Sequence, residues 1–510
     1  MDHTMIRRAL VLAVLAVPFA AHAFCGFYVA GGGASLFNDA TQVVLMREGT
    51  KTVLSMQNNY RGPPENFAMV IPVPVILQKE NVKTLTKGLF DRLDQLAAPR
   101  LVEYWEQDPC YTPPFANSGG ATRSLSAAPM KAKMAREDSA ADYGVTVESQ
   151  FTVGEYEIVV LSAKDAMGLE SWLADNQYKI PSGAAPLFRP YIQTGMKFFV
   201  ARVDVKKVTF GADGVATLSP LRFHYDSEKF ELPVRLGLIN AKAEQDLIVH
   251  VLARNQRYEV ANYPNATIPT NIDLVPSAKS EFGPFYASLF DRTVKKNKGA
   301  VVTEYAWDSM TCDPCPTPPL QPQELLLLGL DVIDNAGPLP EVEFKNRDAV
   351  PENERAMVDQ QLKYLIQNIS NRRLYAKGGA RFVLTRLHAR YDKSSLGEDL
   401  VFKAAPPIAG GREFLTDGKS LEQGAVSYSV NNFQARYAIR HPWEGPMACA
   451  NPVRGKWGGP PSGGKPKPVA AEDLGLVKRD AALTAKLVES PVTELGLNGK
   501  KERAGIPVKK

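Results

Sequence analysis

Histidine and cysteine are scarce in this chain, at 6 and 5 of 510 residues. Two histidines, His3 and His22, precede the expected maturation point. Only His224, His250, His388 and His441 remain for chemistry. None stands in H-E-x-x-H, which sets two zinc-binding imidazoles one helical turn apart. No G-x-S-x-G is present, so the sharp turn that presents a serine nucleophile is missing. The run GPPSGGK from Gly459 to Lys465 falls short of a phosphate loop. Pro466 stands where Ser or Thr must reach magnesium, and no strand precedes it.

Long hydrophobic runs are also missing beyond the N-terminus. Arg7 and Arg8 precede an apolar run from Ala9 to Ala20, and Ala21-His22-Ala23 follows. This is the pattern of a secretory signal peptide, residues 1–23, cleaved between Ala23 and Phe24. The run is too short to span a membrane, and nothing later would anchor the mature chain. Charge of one sign is missing too. The tail from Arg454 holds 12 basic and 6 acidic residues, which accounts for the net +5 and leaves the body nearly neutral. A basic tail on a neutral body is not the clustered footprint that nucleic acid requires. From Lys456 onward Gly, Pro and Lys dominate, and the segment 454–510 is expected to be disordered.

What is present is a stretch used twice. Leu89 to Pro114 reads LFDRLDQLAAPRLVEYWEQDPCYTPP, and Leu289 to Pro319 reads LFDRTVKKNKGAVVTEYAWDSMTCDPCPTPP. A second pair, YIQTGMKFFVARV from Tyr191 and YAKGGARFVLTRL from Tyr375, follows in the same order. Ordered identities of this kind point to an internal duplication. They divide the body into halves at 24–212 and 213–453, the first with a surface insertion at 116–142. The predicted class is α+β, β-rich, with antiparallel strands and packed helices. The pattern predicts a hairpin over 41–57, helix-then-strand in each repeated stretch, and strands over 197–210 and 381–391. It also predicts a strand over 230–238 and helices over 324–332 and 354–369.

Cys25, Cys110, Cys312, Cys315 and Cys449 survive maturation, and in an exported chain disulfides are the default. A local Cys312–Cys315 bridge is favoured, with Cys110 pairing either Cys25 or Cys449. A redox role for Cys312-Asp-Pro-Cys315 lacks the thioredoxin-type surroundings. Pro316 excludes a c-type haem motif, and no second ligand pair supports zinc. No metal or cofactor is expected. The repeated polar residues Asp91/Asp291, Arg92/Arg292, Glu103/Glu304 and Asp108/Asp313 read as structural, because one active site seldom needs every member twice. His224 and His388 read as packed or surface residues.

The stretches CGFYVAGG at Cys25, TQVVLMREGTKTVLSMQNNYRGPPENFAMVIPVP at Thr41, LVEYWEQDPC at Leu101, LSPLRFHYDSEKFELPVRLG at Leu218 and LTRLHARYD at Leu384 carry a resemblance. Together they resemble one bacterial family, the domain of unknown function numbered 2330. The resemblance covers most of the body and excludes the tail. It implies export and supplies no catalytic residue. The expectation is a periplasmic or secreted protein without catalysis, binding an envelope or extracellular partner or serving envelope structure. The alternative is an exported enzyme, a hydrolase or a thiol oxidoreductase using Cys312 and Cys315.

Overall fold

The computed structural model describes residues 27–29, 41–57, 68–110, 143–176, 178, 183–210, 216–239, 244–334, 350–375, 381–412, 422–463 and 468–471. The Ala23/Phe24 site, Cys25 and the insertion at 116–142 lie outside the described residues. The fold is α+β. Its principal strands, numbered along the chain, are β1 Thr41–Glu48, β2 Lys51–Met56, β3 Ala68–Val73, β4 Arg100–Glu106, β5 Val145–Val153, β6 Tyr156–Ala163, β7 Lys197–Val203, β8 Leu221–Asp226 and β9 Gln245–Arg254. They continue with β10 Arg257–Val260, β11 Asn265–Thr267, β12 Val301–Asp308, β13 Phe382–Tyr391, β14 Leu400–Ala405, β15 Asn432–Gln434, β16 Arg436–His441, β17 Trp457–Gly458 and β18 Val469–Ala470. The longer helices are α1 Lys87–Ala97, α2 Ala166–Asp175, α3 Ala185–Gln193, α4 Phe282–Lys296 and α5 Glu352–Tyr375.

The largest sheet runs β15–β12–β13–β9–β1–β2–β8, with short strands at both edges and β11 against β12. The β1–β9 pair is parallel, and β9–β13 and β12–β13 are antiparallel. A second sheet runs β3–β7–β6–β5. Alternation along the strands decides how the two meet. On β9, Leu247, Val249 and Val251 face one way, and with Val43, Leu45, Leu54 and Phe223 they pack on Ile71, Ile158, Val160 and Phe199 of the second sheet. Each such side chain stabilises the sandwich by about 1.5–3 kcal/mol. The opposite face of the large sheet is covered by α1, α4 and a helical segment at 322–333. Strands of both sequence halves interleave, since β1 and β2 share a sheet with β9, β12 and β13.

Both repeated stretches are helix-then-strand, α1–β4 and α4–β12. Their strands lie in different sheets. β12 joins the large one, while β4 pairs in parallel with β16 in a third. The hairpin β1–β2 turns at Gly49, whose φ of +57° suits glycine.

Four expectations are corrected. The strand expected over 197–210 ends at Val203, and a 3-10 turn, Val205–Lys207, separates it from the two-residue strand Thr209–Phe210. Residues 230–238 form a two-residue strand, Glu231–Leu232, and then a 3-10 turn, Arg235–Ile239. Asp399 Oδ1 accepts from the backbone N–H groups of Val234 (2.8 Å) and Arg235 (3.0 Å), which curls the chain there. Residues 324–332 are not one regular helix. Gly329 breaks the helix at φ +143°, and a Cβ there would sit 2.8 Å from Val53. The tail is not wholly disordered. β17 and β18 pair antiparallel with β4, Arg454 bonds Glu106 at 2.8 Å, and Ala471 is buried. Composition missed this because a few backbone bonds to an open strand edge order a segment that has no core of its own.

Deleting residues 456–510 is therefore expected to destabilise the body by on the order of 2 kcal/mol, by exposing the edge of β4 and the cover of Leu101. Thermal melting of the truncated and full chains checks this. An unchanged midpoint would mean the docked strands contribute nothing.

Candidate functional site

β13 places Arg386, His388 and Arg390 on the helix-covered face, alternating with Leu387, Ala389 and Tyr391 on the sandwich face. Arg386 and His388 are buried, and the half-buried Arg390 keeps its side chain only 7% exposed, so each charge calls for an acid. Four elements supply one each. Glu304 comes from a bulge in β12, Asp246 from β9, Asp94 from α1 and Asp291 from α4. Arg386 Nε donates to Glu304 Oε2 at 2.7 Å, and its Nη1 pairs with Asp94. Arg390 grips Asp246 through Nε (2.7 Å) and Nη2 (3.0 Å) and pairs with Asp291. His388 bridges the two groups. Nδ1 is 2.7 Å from Glu304 Oε1 and Nε2 is 3.2 Å from Asp246 Oδ1. Ionised carboxylates only accept, so both ring nitrogens carry hydrogen and His388 is an imidazolium. Phe290 of α4 stacks on it at 3.7 Å, and Tyr286 donates to Glu304 at 2.6 Å.

The electrostatics agree. Burial pushes Asp246 up, but His388 and Arg390 outweigh it and hold the carboxyl well below the usual range. Burial likewise opposes ionisation of Glu304, yet His388 and Arg386 bring it down to about 2. For His388 burial disfavours the charge, and Glu304 and Asp246 reverse that and raise the imidazolium's pKa. The arrangement is closed. Glu304 is 0% exposed and His388 1%. With both nitrogens on carboxylates, His388 has none left to activate a hydroxyl or thiol.

The other histidines part company with it. His250, on β9 beside Arg386, is fully buried with neither nitrogen hydrogen-bonded, and burial and then Arg386 drive its pKa well down. His224 lies 3.1 Å from Asn81. His441 stacks on Trp105 at 4.6 Å and meets Glu103 at 3.1 Å near the surface, where Lys279 also pairs with Glu103.

The repeated polar residues are used differently in the two stretches. Asp91 makes an exposed pair with Lys87, whereas Asp291 meets Arg390. Glu103 is half-buried, whereas Glu304 is sealed. Arg92 donates to the carbonyls of Pro318 and Pro319 and pairs with Glu324. Asp108 Oδ1 accepts from the Cys110 N–H at 2.8 Å, and in the second stretch the corresponding turn belongs to Asp308, not Asp313. Two disulfides are formed, Cys110–Cys449 and Cys312–Cys315. Among the described residues no group of three or more His, Cys, Asp or Glu side chains could hold a metal ion.

Residues 19–403 match the family model described as an uncharacterized protein conserved in bacteria (DUF2330). The chain belongs to the DUF2330 family. No curated protein and no solved structure matches it. Every member of the buried network lies within the DUF2330 match, while Cys449, β16 and the docked strands lie beyond it. The two disulfides fit an exported protein, and among the described residues no helix is long and apolar enough to cross a membrane.

The network was missed in the sequence, although the alternation Arg-Leu-His-Ala-Arg in LTRLHARYD carried the signal. Cations at period two on a strand flanked by apolar residues call for buried acceptors.

Removing Asp246 leaves His388 with Glu304 and Arg390 with Asp291, so the buried positive charge is under-compensated. Asp246→Asn is expected to cost about 3–5 kcal/mol in urea melts. The pH dependence follows in sign. Glu304 is depressed, so its contribution is complete above its ordinary 4.5 and is lost as pH falls toward about 2. His388 is raised, so its contribution is complete below 6.5 and fades as pH climbs through the higher folded value. Stability measured from pH 2 to 9 should show both limbs. The alkaline limb should vanish in His388→Gln, and its persistence there would remove His388 as its source.

Proposed function

We propose that this DUF2330 protein is an exported, non-catalytic binding protein of the bacterial envelope. The observation that supports this is the state of His388. Both imidazole nitrogens of this buried residue are committed to carboxylates, so the charged constellation around it serves to hold α1 and α4 on the sheet. His441, the histidine best placed near the surface, directs Nε2 to Glu103 and lays its ring on Trp105. The leader at residues 1–23 and the two disulfides support export. The two helix–strand stretches are taken as copies of one ancestral unit. One anchors a sheet interior and the other frames a smaller mixed sheet.

A thiol oxidoreductase reading rests on one feature. Cys315 is exposed, while Cys312 packs against the core under α1. Alkylation of the mature protein without reductant, followed by mass mapping, is expected to leave Cys110, Cys449, Cys312 and Cys315 unlabelled. The reduced protein is expected to turn over no small disulfide substrate. Catalytic turnover that disappears in Cys315→Ser would replace the binding reading with an oxidoreductase.

A further inference from the structure

A polar cleft of about 450 Å3 opens between β10, β11, β12 and the C-terminal end of α4. That volume lies within the range of small-molecule sites. None of the network carboxylates or cations lines it. Its inner wall is Arg257, only 7% exposed. Arg257 Nε donates to the Pro406 carbonyl, while Nη1 and Nη2 each reach the same oxygen of Glu259 at a long 3.4 Å. Glu259 also serves Lys403 through its other oxygen, again at 3.4 Å. One carboxylate therefore answers two cations at poor distance. Lys296, at the rim, makes no ion pair among the described residues. The cleft thus carries an excess of positive charge around a guanidinium whose terminal donors are under-used, and burial lowers the Arg257 pKa more than Glu259 restores it.

The remaining wall is neutral and hydroxylated. Thr267 of β11 and Thr303 of β12 are direct neighbours across a parallel pair, and both line the cleft. Thr303 is 2% exposed. Two adjacent hydroxyls on rigid strands suit a ligand's own hydroxyls, and the planar guanidinium suits a carboxylate. We propose that this cleft binds a small hydroxylated carboxylate of the sugar-acid class, with its carboxylate between Arg257 and Lys296 and its hydroxyls on Thr267 and Thr303. This deepens the binding reading above and rests on it.

The test is calorimetric titration of the full-length mature protein with D-glucuronate, D-glucose and inorganic phosphate. Glucuronate is expected to bind and glucose, lacking the carboxylate, is not. Lys296→Ala, at an exposed position, should weaken binding several-fold. Arg257→Gln should weaken it at least about tenfold. If Arg257→Gln fails to fold, Lys296→Ala and Thr267→Val carry the test. Absence of glucuronate binding, equal binding of glucose or phosphate, or affinity unmoved by Lys296→Ala and Thr267→Val overturns the site and leaves the binding reading standing. Bound glucuronate that is chemically converted, as followed by NMR, keeps the site and overturns the non-catalytic reading.

Discussion

The fold hangs on the ion pairs of a single strand. β13 turns three cations toward the face on which α1 and α4 lie, and each helix returns one carboxylate. Adjacent strands β9 and β12 supply the other two, so His388 and its neighbours tie two helices and three strands through one set of charges. Apolar contacts could cover the same face in several registers. Charges in a dry interior cannot, because a shift of one residue along β13 would leave every cation opposite a hydrocarbon. The network therefore selects one placement of the helices more than it adds stability, since the desolvation of its buried ions offsets much of their mutual attraction.

Arg100 shows the same logic without an acid. It is 0% exposed and its guanidinium donates to the carbonyls of Leu96 (2.5 Å) and Pro314 (2.9 Å) over the ring of Tyr305. With Arg92 on the carbonyls of Pro318 and Pro319, it makes the first helix–strand stretch the clamp of the loop that carries Cys312 and Cys315. The first stretch thus packs on the end of the second, although neither pairs its strand with the other.

Local structure was legible wherever a local cause produced it. The β1–β2 hairpin, α1, α4 and β13 stand where periodicity and turn residues put them. The strand expected over 230–238 failed because Asp399, 165 residues away, captures the backbone of Val234. The helix expected over 324–332 failed because Gly329 lies against Val53, a neighbour that sequence cannot name. The network was half legible. Its cations alternate in plain view on β13, but the partners sit 292 residues away at Asp94 and 142 away at Asp246. The Arg257 cleft left no pattern, because Thr267, Lys296 and Thr303 become neighbours only when β11 docks on β12.

β4 has a consequence for how the molecule is made. Both of its edges are filled by segments near the end of the described chain, β16 on one side and β17 and β18 on the other. The Cys110–Cys449 bridge closes the same interval, 339 residues long. A chain emerging N-terminus first presents β4 long before any of its neighbours exist. That strand spends most of its early life as an open edge facing other unfinished chains, which makes assembly slow and in need of protection until β16, β17 and β18 arrive.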